Sequence, residues 1–170
     1  MTAARQQRKS PLALGQAFGL ALGLAVCGGI FAPPAILAAP SDRIVVNAYT
    51  GLAISGFDPV AYFTEAKPKI GRPGLELRVD GTVWRFRNEG NRAAFADQPE
   101  VYRPRFGGYD PVAVARGNSV PGHPLFWAVT GERLYLFYSA EARTAFLADP
   151  GRIIERAMRK WPDVARTIAP

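Results

Sequence analysis

Two stretches of the chain alternate apolar and polar residues with the period of a strand. Leu75-Glu76-Leu77-Arg78-Val79 and Val83-Trp84-Arg85-Phe86-Arg87 flank Asp80-Gly81. Both turn residues tolerate positive φ, so the stretch predicts a β-hairpin. Leu125 to Val129 and Leu134 to Tyr138 predict a second hairpin around Thr130-Gly131-Glu132-Arg133. A capping residue follows each one. Asn88 opens a short helix with Ala94 and Phe95 that stops before Pro99; Ser139 opens one with Ala142, Ala145 and Phe146. Glu141 stands in that helix's first turn, where the dipole favours an anion. Ile153, Ile154, Ala157, Met158 and Trp161 share one helical face, with Arg152, Arg156, Arg159 and Lys160 largely elsewhere. A basic amphipathic helix can lie on a membrane; at about three turns, ended by Pro162, this one is expected instead to pack by its apolar face, Met158 included, across the two modules.

Upstream of each hairpin the sequence repeats itself. Gly56-Phe57-Asp58-Pro59-Val60-Ala61 returns 52 residues later as Gly108-Tyr109-Asp110-Pro111-Val112-Ala113. Trp84-Arg85-Phe86, Arg92-Ala93-Ala94-Phe95 and Pro99 return 51 residues later as Tyr135-Leu136-Phe137, Arg143-Thr144-Ala145-Phe146 and Pro150. Matched blocks in the same order, with the offset changing by one, point to a duplicated module. In both copies Asp before Pro predicts a helix start, the carboxylate capping free N–H groups. Pro68, Gly71, Pro73 and Gly74, and later Pro121, Gly122 and Pro124, interrupt regular structure. A module of about fifty residues is too small for a self-sufficient core without a metal or disulfide staple. The expectation is therefore an α+β domain: two tandem modules, each a helical turn, a hairpin and a short helix, packed with pseudo-twofold symmetry on one continuous aromatic core, plus a C-terminal helix. The boundaries are a lead-in at 40–55 with Ile44-Val45-Val46 and Leu52-Ala53-Ile54 as short extended segments, modules at 56–104 and 105–163, and a tail at 164–170.

Residues 1–39 read differently. They hold Arg5, Arg8 and Lys9, no acid, and an apolar run from Ala17 to Ala32. A basic stretch before an apolar one is the pattern of an export signal, with cleavage placed after Ala38. Two alternatives stay open. Pro11 to Ala32 is about 22 mostly apolar residues, enough to span roughly 30 Å of hydrocarbon as an anchor. Leu24-Ala25-Val26-Cys27 is similar to a lipoprotein cleavage box, with Val26 where a small residue is expected. Each predicts an exported, periplasmic or envelope-attached domain. Cys27 is the chain's one cysteine, so no disulfide framework follows export. Three of the 21 Lys and Arg lie in this segment, leaving 18 against 14 acids, a net charge of +4. That charge is spread along the chain and gives no case for nucleic acid.

The ordered run of Gly56-Phe57-Asp58-Pro59-Val60-Ala61-Tyr62-Phe63, Gly107-Gly108-Tyr109, Val120-Pro121-Gly122, Leu134-Tyr135-Leu136-Phe137-Tyr138-Ser139 and Trp161-Pro162 resembles the exported bacterial form of the YHS domain family. The resemblance covers roughly Leu52 to Val164. It implies a possible heavy-metal association through cysteines, one after Asp-Pro-Val and two flanking the helix start. Those positions are Ala61, Arg87 and Asn91 in the first copy and Ala113, Tyr138 and Ala142 in the second. The cysteine that often follows Gly-Gly-Tyr is here Asp110. Soft metals need thiolate, thioether or imidazole, and outside the export segment the chain offers His123 and Met158. No metal site and no cofactor is expected.

Three functions compete. The first is a non-catalytic exported module that binds an unidentified small molecule or envelope protein. Its candidate cleft, between the modules, would hold Asp58, Tyr62, Tyr109, Asp110, His123 and Tyr138. Abundant aromatics support it, among them Tyr49, Phe57, Trp84 and Trp127, most of which read equally as core. The second is an enzyme pairing Asp58 with Asp110 and using His123 as acid or base. Helix capping explains the paired aspartates without catalysis. The third is a metal carrier on oxygen ligands, for which Asp58, Asp110 and Glu65 are few and scattered. Glycine-rich nucleotide loops, a hydrolase serine elbow and a zinc-protease helix are absent from the sequence.

Overall fold

The computed structural model describes residues 43–168. Its contacts divide the chain after Ile36, and Leu37–Pro170 forms a compact unit of its own. The architecture is α+β, with two small antiparallel sheets and a long C-terminal helix. In chain order the elements are α1 (Ala61–Thr64), β1 (Glu76–Val79), β2 (Thr82–Arg85), α2 (Glu89–Asp97), α3 (Pro99–Tyr102), α4 (Pro111–Val114), β3 (His123–Thr130), β4 (Arg133–Phe137), α5 (Ala140–Ala148) and α6 (Pro150–Thr167).

Both hairpins close through two-residue turns. Asp80 and Gly81 have φ of 49° and 80°, and Gly131 and Glu132 are both at 56°. These left-handed pairs match the twist of the flanking strands. The second turn is thus tighter than the four-residue connection expected, because Thr130 and Arg133 pair with each other across the ladder. β3 carries extra residues between the His123–Phe137 and Trp127–Leu136 pairs, a bulge that swings its first half away from the ladder. Asn88 and Ser139 cap α2 and α5 through the N–H groups of Asn91 and Ala142. Pro99 and Pro150 end the expected helices and also begin the next ones, α3 and α6, since proline suits a first turn. α3 was not expected from the sequence.

The lead-in is woven into the fold. Val46 bridges Ala53, and Leu52 bridges Val83 of β2. Val45 N–H donates to the carbonyl of Gly107, while Ala53 N–H donates to that of Val83, so this segment stitches one hairpin region to the other. Ile54, Ser55 and Gly56 then run through φ of 41°, 56° and 77°, and Phe106, Gly107 and Gly108 do the same at 54°, 62° and 88°. Positive φ at a β-branched residue such as Ile54 is costly. It is held by full burial of the side chain and by the bond from Ile54 N–H to Val45 O.

The buried residues form two clusters in place of the one continuous core expected. One gathers Ala53, Ile54, Val60, Tyr62, Trp84, Phe86 and Phe95 with Leu134 and Leu136; the other gathers Phe106, Tyr109, Val114, Tyr135, Phe137 and Phe146 with Ala157, Trp161, Val164 and Ala165 of α6. The split follows from strand geometry. Successive side chains of β4 point to opposite faces, so Leu134 and Leu136 enter one cluster while Tyr135 and Phe137 enter the other.

Three expectations fail for physical reasons. Pro162 does not end α6, which runs on to Thr167. The proline is exposed on the outer face, and the carbonyl it leaves without a donor belongs to Met158, 52% exposed, where water is available. Beyond it Val164 and Ala165 bury against the cluster, so the expected 164–170 tail is largely helix. Met158 itself lies outside the core, on the flank of the helix. Tyr49, read among the core aromatics, is 98% exposed at the tip of a turn in which Asn47 Oδ1 accepts from Tyr49 and Thr50 N–H.

A Cβ at Gly122 would come within 2.6 Å of Gly108 O and 2.7 Å of Leu136 Cβ. The Gly122→Ala variant is therefore expected to lose about 1–3 kcal/mol in urea unfolding. Gly151→Ala, with open space at its Cβ and an ordinary helical φ, is expected to gain up to about 1 kcal/mol.

Candidate functional site

The candidate residues form two groups, each centred on a buried aspartate. Asp58 is fully buried. Its Oδ1 accepts from Val60 N–H at 2.8 Å and Ala61 N–H at 3.3 Å. Its Oδ2 accepts from Arg87 N–H at 2.8 Å and Asn91 Nδ2 at 2.7 Å. Asp110, 2% exposed, repeats the arrangement. Oδ1 accepts from Val112 N–H at 2.7 Å and Ala113 N–H at 3.3 Å, and Oδ2 from Tyr138 N–H at 3.0 Å. Asn91 has no polar counterpart here, because Ala142 follows Ser139 at the equivalent spacing.

Each carboxylate thus joins the start of a short helix to the strand end and cap that begin the next. The backbone on either side agrees. Asp58 N–H donates to Lys69 O and Asp110 N–H to Val120 O; Gly71 N–H donates to Gly56 O and Gly122 N–H to Gly108 O. Gly71 and Gly122 are required by close packing. A Cβ at Gly71 would stand 2.6 Å from Arg85 C and 2.7 Å from Phe86 N. The sequence reading treated both glycines only as breakers. Their 51-residue spacing, the same as that of the hairpin blocks, was the signal that could have found them.

The paired-carboxylate arrangement does not form. Each aspartate is satisfied by its own set of donors, and neither bonds to the other. α1 begins at Ala61, two residues later than an Asp58 cap followed by Pro59 would place it, because Pro59 and Val60 form a turn first.

The remaining candidates lie along the seam between the clusters or outside it. Tyr62 is buried, its hydroxyl donates to Pro124 O at 2.9 Å, and its ring meets Trp127 edge-on at 5.3 Å. Burial, and secondly the charge of Asp58, hold its hydroxyl well above the ordinary tyrosine range. Tyr109 packs on Trp161 at 5.9 Å, and its hydroxyl is also pushed up by burial. His123 is exposed; its Nδ1 accepts from Leu125 N–H at 3.2 Å, and its ring lies 5.6 Å from Phe126. Tyr138 is 65% exposed and meets Asp110 only through its backbone. The seam is occupied by Tyr62, Trp127, Leu134 and Leu136. The six candidates therefore do not line one cleft: Asp58, Tyr62, Tyr109 and Asp110 are interior, and His123 and Tyr138 face outward.

The structure brings Ala61 and Arg87 N–H and the Asn91 amide onto Asp58, and Ala113 and Tyr138 N–H onto Asp110. These are positions at which the family resemblance would place soft ligands. Here they supply hydrogen-bond donors, which compete with a cation for the carboxylate oxygens. The described residues contain no group of three or more His, Cys, Asp or Glu side chains arranged to hold a metal ion. The residues present do not fit the metal.

Arg103, which sequence reasoning passed over, is a buried cation. It meets Asp80 of the β1–β2 turn at 2.6 Å and Glu100 at 3.1 Å, fastening α3 to the first hairpin. Its loop position gave no periodic signal of burial.

Comparison of the chain with family models, with curated proteins and with solved structures finds no match in any of the three.

Asp58→Asn and Asp110→Asn each replace one accepting carboxylate oxygen with an NH2 group, turning a donor toward N–H donors. Both are expected to lower unfolding free energy, Asp110→Asn by about 1–3 kcal/mol and Asp58→Asn, with one more donor orphaned, by more. Stability is also expected to fall as pH rises above 10.0, the ordinary tyrosine value, because tyrosines ionise in the unfolded chain while buried Tyr62, Tyr109 and Tyr135 hold their protons. Below that value these groups contribute no pH dependence. Tyr62→Phe is expected to shallow the alkaline decline, measured by urea unfolding at stepped pH.

Proposed function

We propose that this chain is an exported, non-catalytic cell-envelope domain, built of two tandem YHS-like modules related by a pseudo-twofold, that works by binding an envelope protein through its surface. The repeated geometry supports the tandem reading. Three successive residues at positive φ, a buried Asp accepting from two amides ahead and from the strand end, a close-packed glycine and a capped helix occur in both halves at offsets of 52 and then 51.

One observation carries the functional reading. The two acidic groups that repeat, the pair that the enzyme reading would bring together, each accept from backbone and amide donors in the interior. A general base must reach a substrate proton, and neither does so. Between the two kinds of binding, a filled seam favours a protein over a small molecule. Tyr62 of the first half packs edge-on against Trp127 of the second, and the Tyr62 hydroxyl already has its acceptor in Pro124 O. Large exposed side chains such as Tyr138 and Leu125 offer contact area outside.

Fusing residues 1–39 to alkaline phosphatase, which needs an oxidising compartment for its disulfides, is expected to give active enzyme; an inactive fusion would remove the export reading. A photo-crosslinker at position 138 in intact cells is expected to trap one discrete protein, and elemental analysis of the purified chain to show no stoichiometric transition metal. A stoichiometric metal, or adducts with none but the chain itself, would count against this function.

A further inference from the structure

The apolar face of α6 is spent on the core, which leaves the chemistry of its outer face to be explained. Arg152, Arg156, Arg159, Lys160 and Arg166 all point to solvent. Three have acidic neighbours within a turn: Arg152 pairs with Asp149, Arg159 with Glu155 and Arg166 with Asp163. Arg156 and Lys160, one turn apart, form no ion pair among the described residues, and exposed Met158, two residues from each, lies on the other flank of the helix.

Two further cations that form no ion pair among the described residues sit near the cluster that this helix covers. The Arg105 guanidinium lies 5.8 Å from the Phe106 ring, which in turn packs on Trp161 at 5.7 Å. The Arg43 backbone lies close against Gly107, next to Phe106. The chain therefore enters the fold at the cluster that α6 covers, since Val45 packs there and bonds to Gly107.

We propose that the outer face of α6, with Arg43 and Arg105 at its side, docks on an anionic phospholipid headgroup layer. The charge is complementary, and each basic side chain near such a surface adds attraction that salt screens. The proposal rests on the export reading for its biological setting, while its test does not.

Residues 37–170, the compact unit, are mixed with vesicles of equal parts phosphatidylcholine and phosphatidylglycerol, and separately with pure phosphatidylcholine, in a flotation assay. Binding is expected to the anionic vesicles only, and to be lost in high salt. The double reversal R156E/K160E is expected to lower the partition coefficient by at least about tenfold. K67E/R72E makes the same change in net charge at exposed positions outside α6, between α1 and β1, and is expected to lower it less than about threefold. Equal losses in the two variants, or no preference for anionic vesicles, would overturn the proposal. Retention of the unit on polyglutamate without vesicle binding would also overturn it, assigning the face to an acidic protein. Because no export segment is present, failure here is distinguishable from failure of the phosphatase fusion.

Discussion

The fold depends on a single strand being buried on both sides. β4 places Leu134 and Leu136, each with no exposed surface, among the aromatics of the first half, and Tyr135 and Phe137 among those of the second. A two-stranded hairpin has little stability of its own in water. β4 gains it by serving as the wall between two hydrophobic clusters, neither of which closes without it. Fully burying a leucine contributes about 1.5–3 kcal/mol, and a domain's whole stability is about 5–15 kcal/mol. Two such residues crossing from one half to the other are therefore enough to bind the halves' fates together.

The aspartates do for the backbone what β4 does for the side chains. Helix starts and strand ends leave N–H groups without partners, and burying them unpaired would cost free energy. Asp58 and Asp110 collect those donors from two separate segments each. On the tandem-module reading, this explains why Asp-Pro recurs: it is the joint on which a short helix and a hairpin meet. The same use of the carboxylates turns their oxygens toward donors of the interior.

Much of this was legible in the sequence. Strand alternation, Asp80-Gly81, the Asn88 and Ser139 caps and the Asp-Pro pairs each rest on local rules, and local rules survive folding. The failures share a cause, which is tertiary context. Pro162 passes through α6 because Val164 and Ala165 beyond it gain burial and the freed carbonyl faces water. The single core divided because the two faces of β4 were not weighed separately. The six-residue cleft dissolved because sequence equivalence between Asp58 and Asp110 says that their surroundings are alike, and nothing about their being near. Gly71 and Gly122, which fix the close approach of backbone to hairpin, were read as punctuation, since close packing has no signature in a single glycine.

The central claim is that neither half holds a core by itself. Its most direct test is to express residues 105–170, which contain β3, β4 and all of α6, and follow unfolding in urea by tryptophan fluorescence. With Leu134 and Leu136 facing water, the fragment is expected to show no cooperative transition and no dispersed amide spectrum. A monomeric fragment with a sharp transition and dispersed amide resonances would contradict the account.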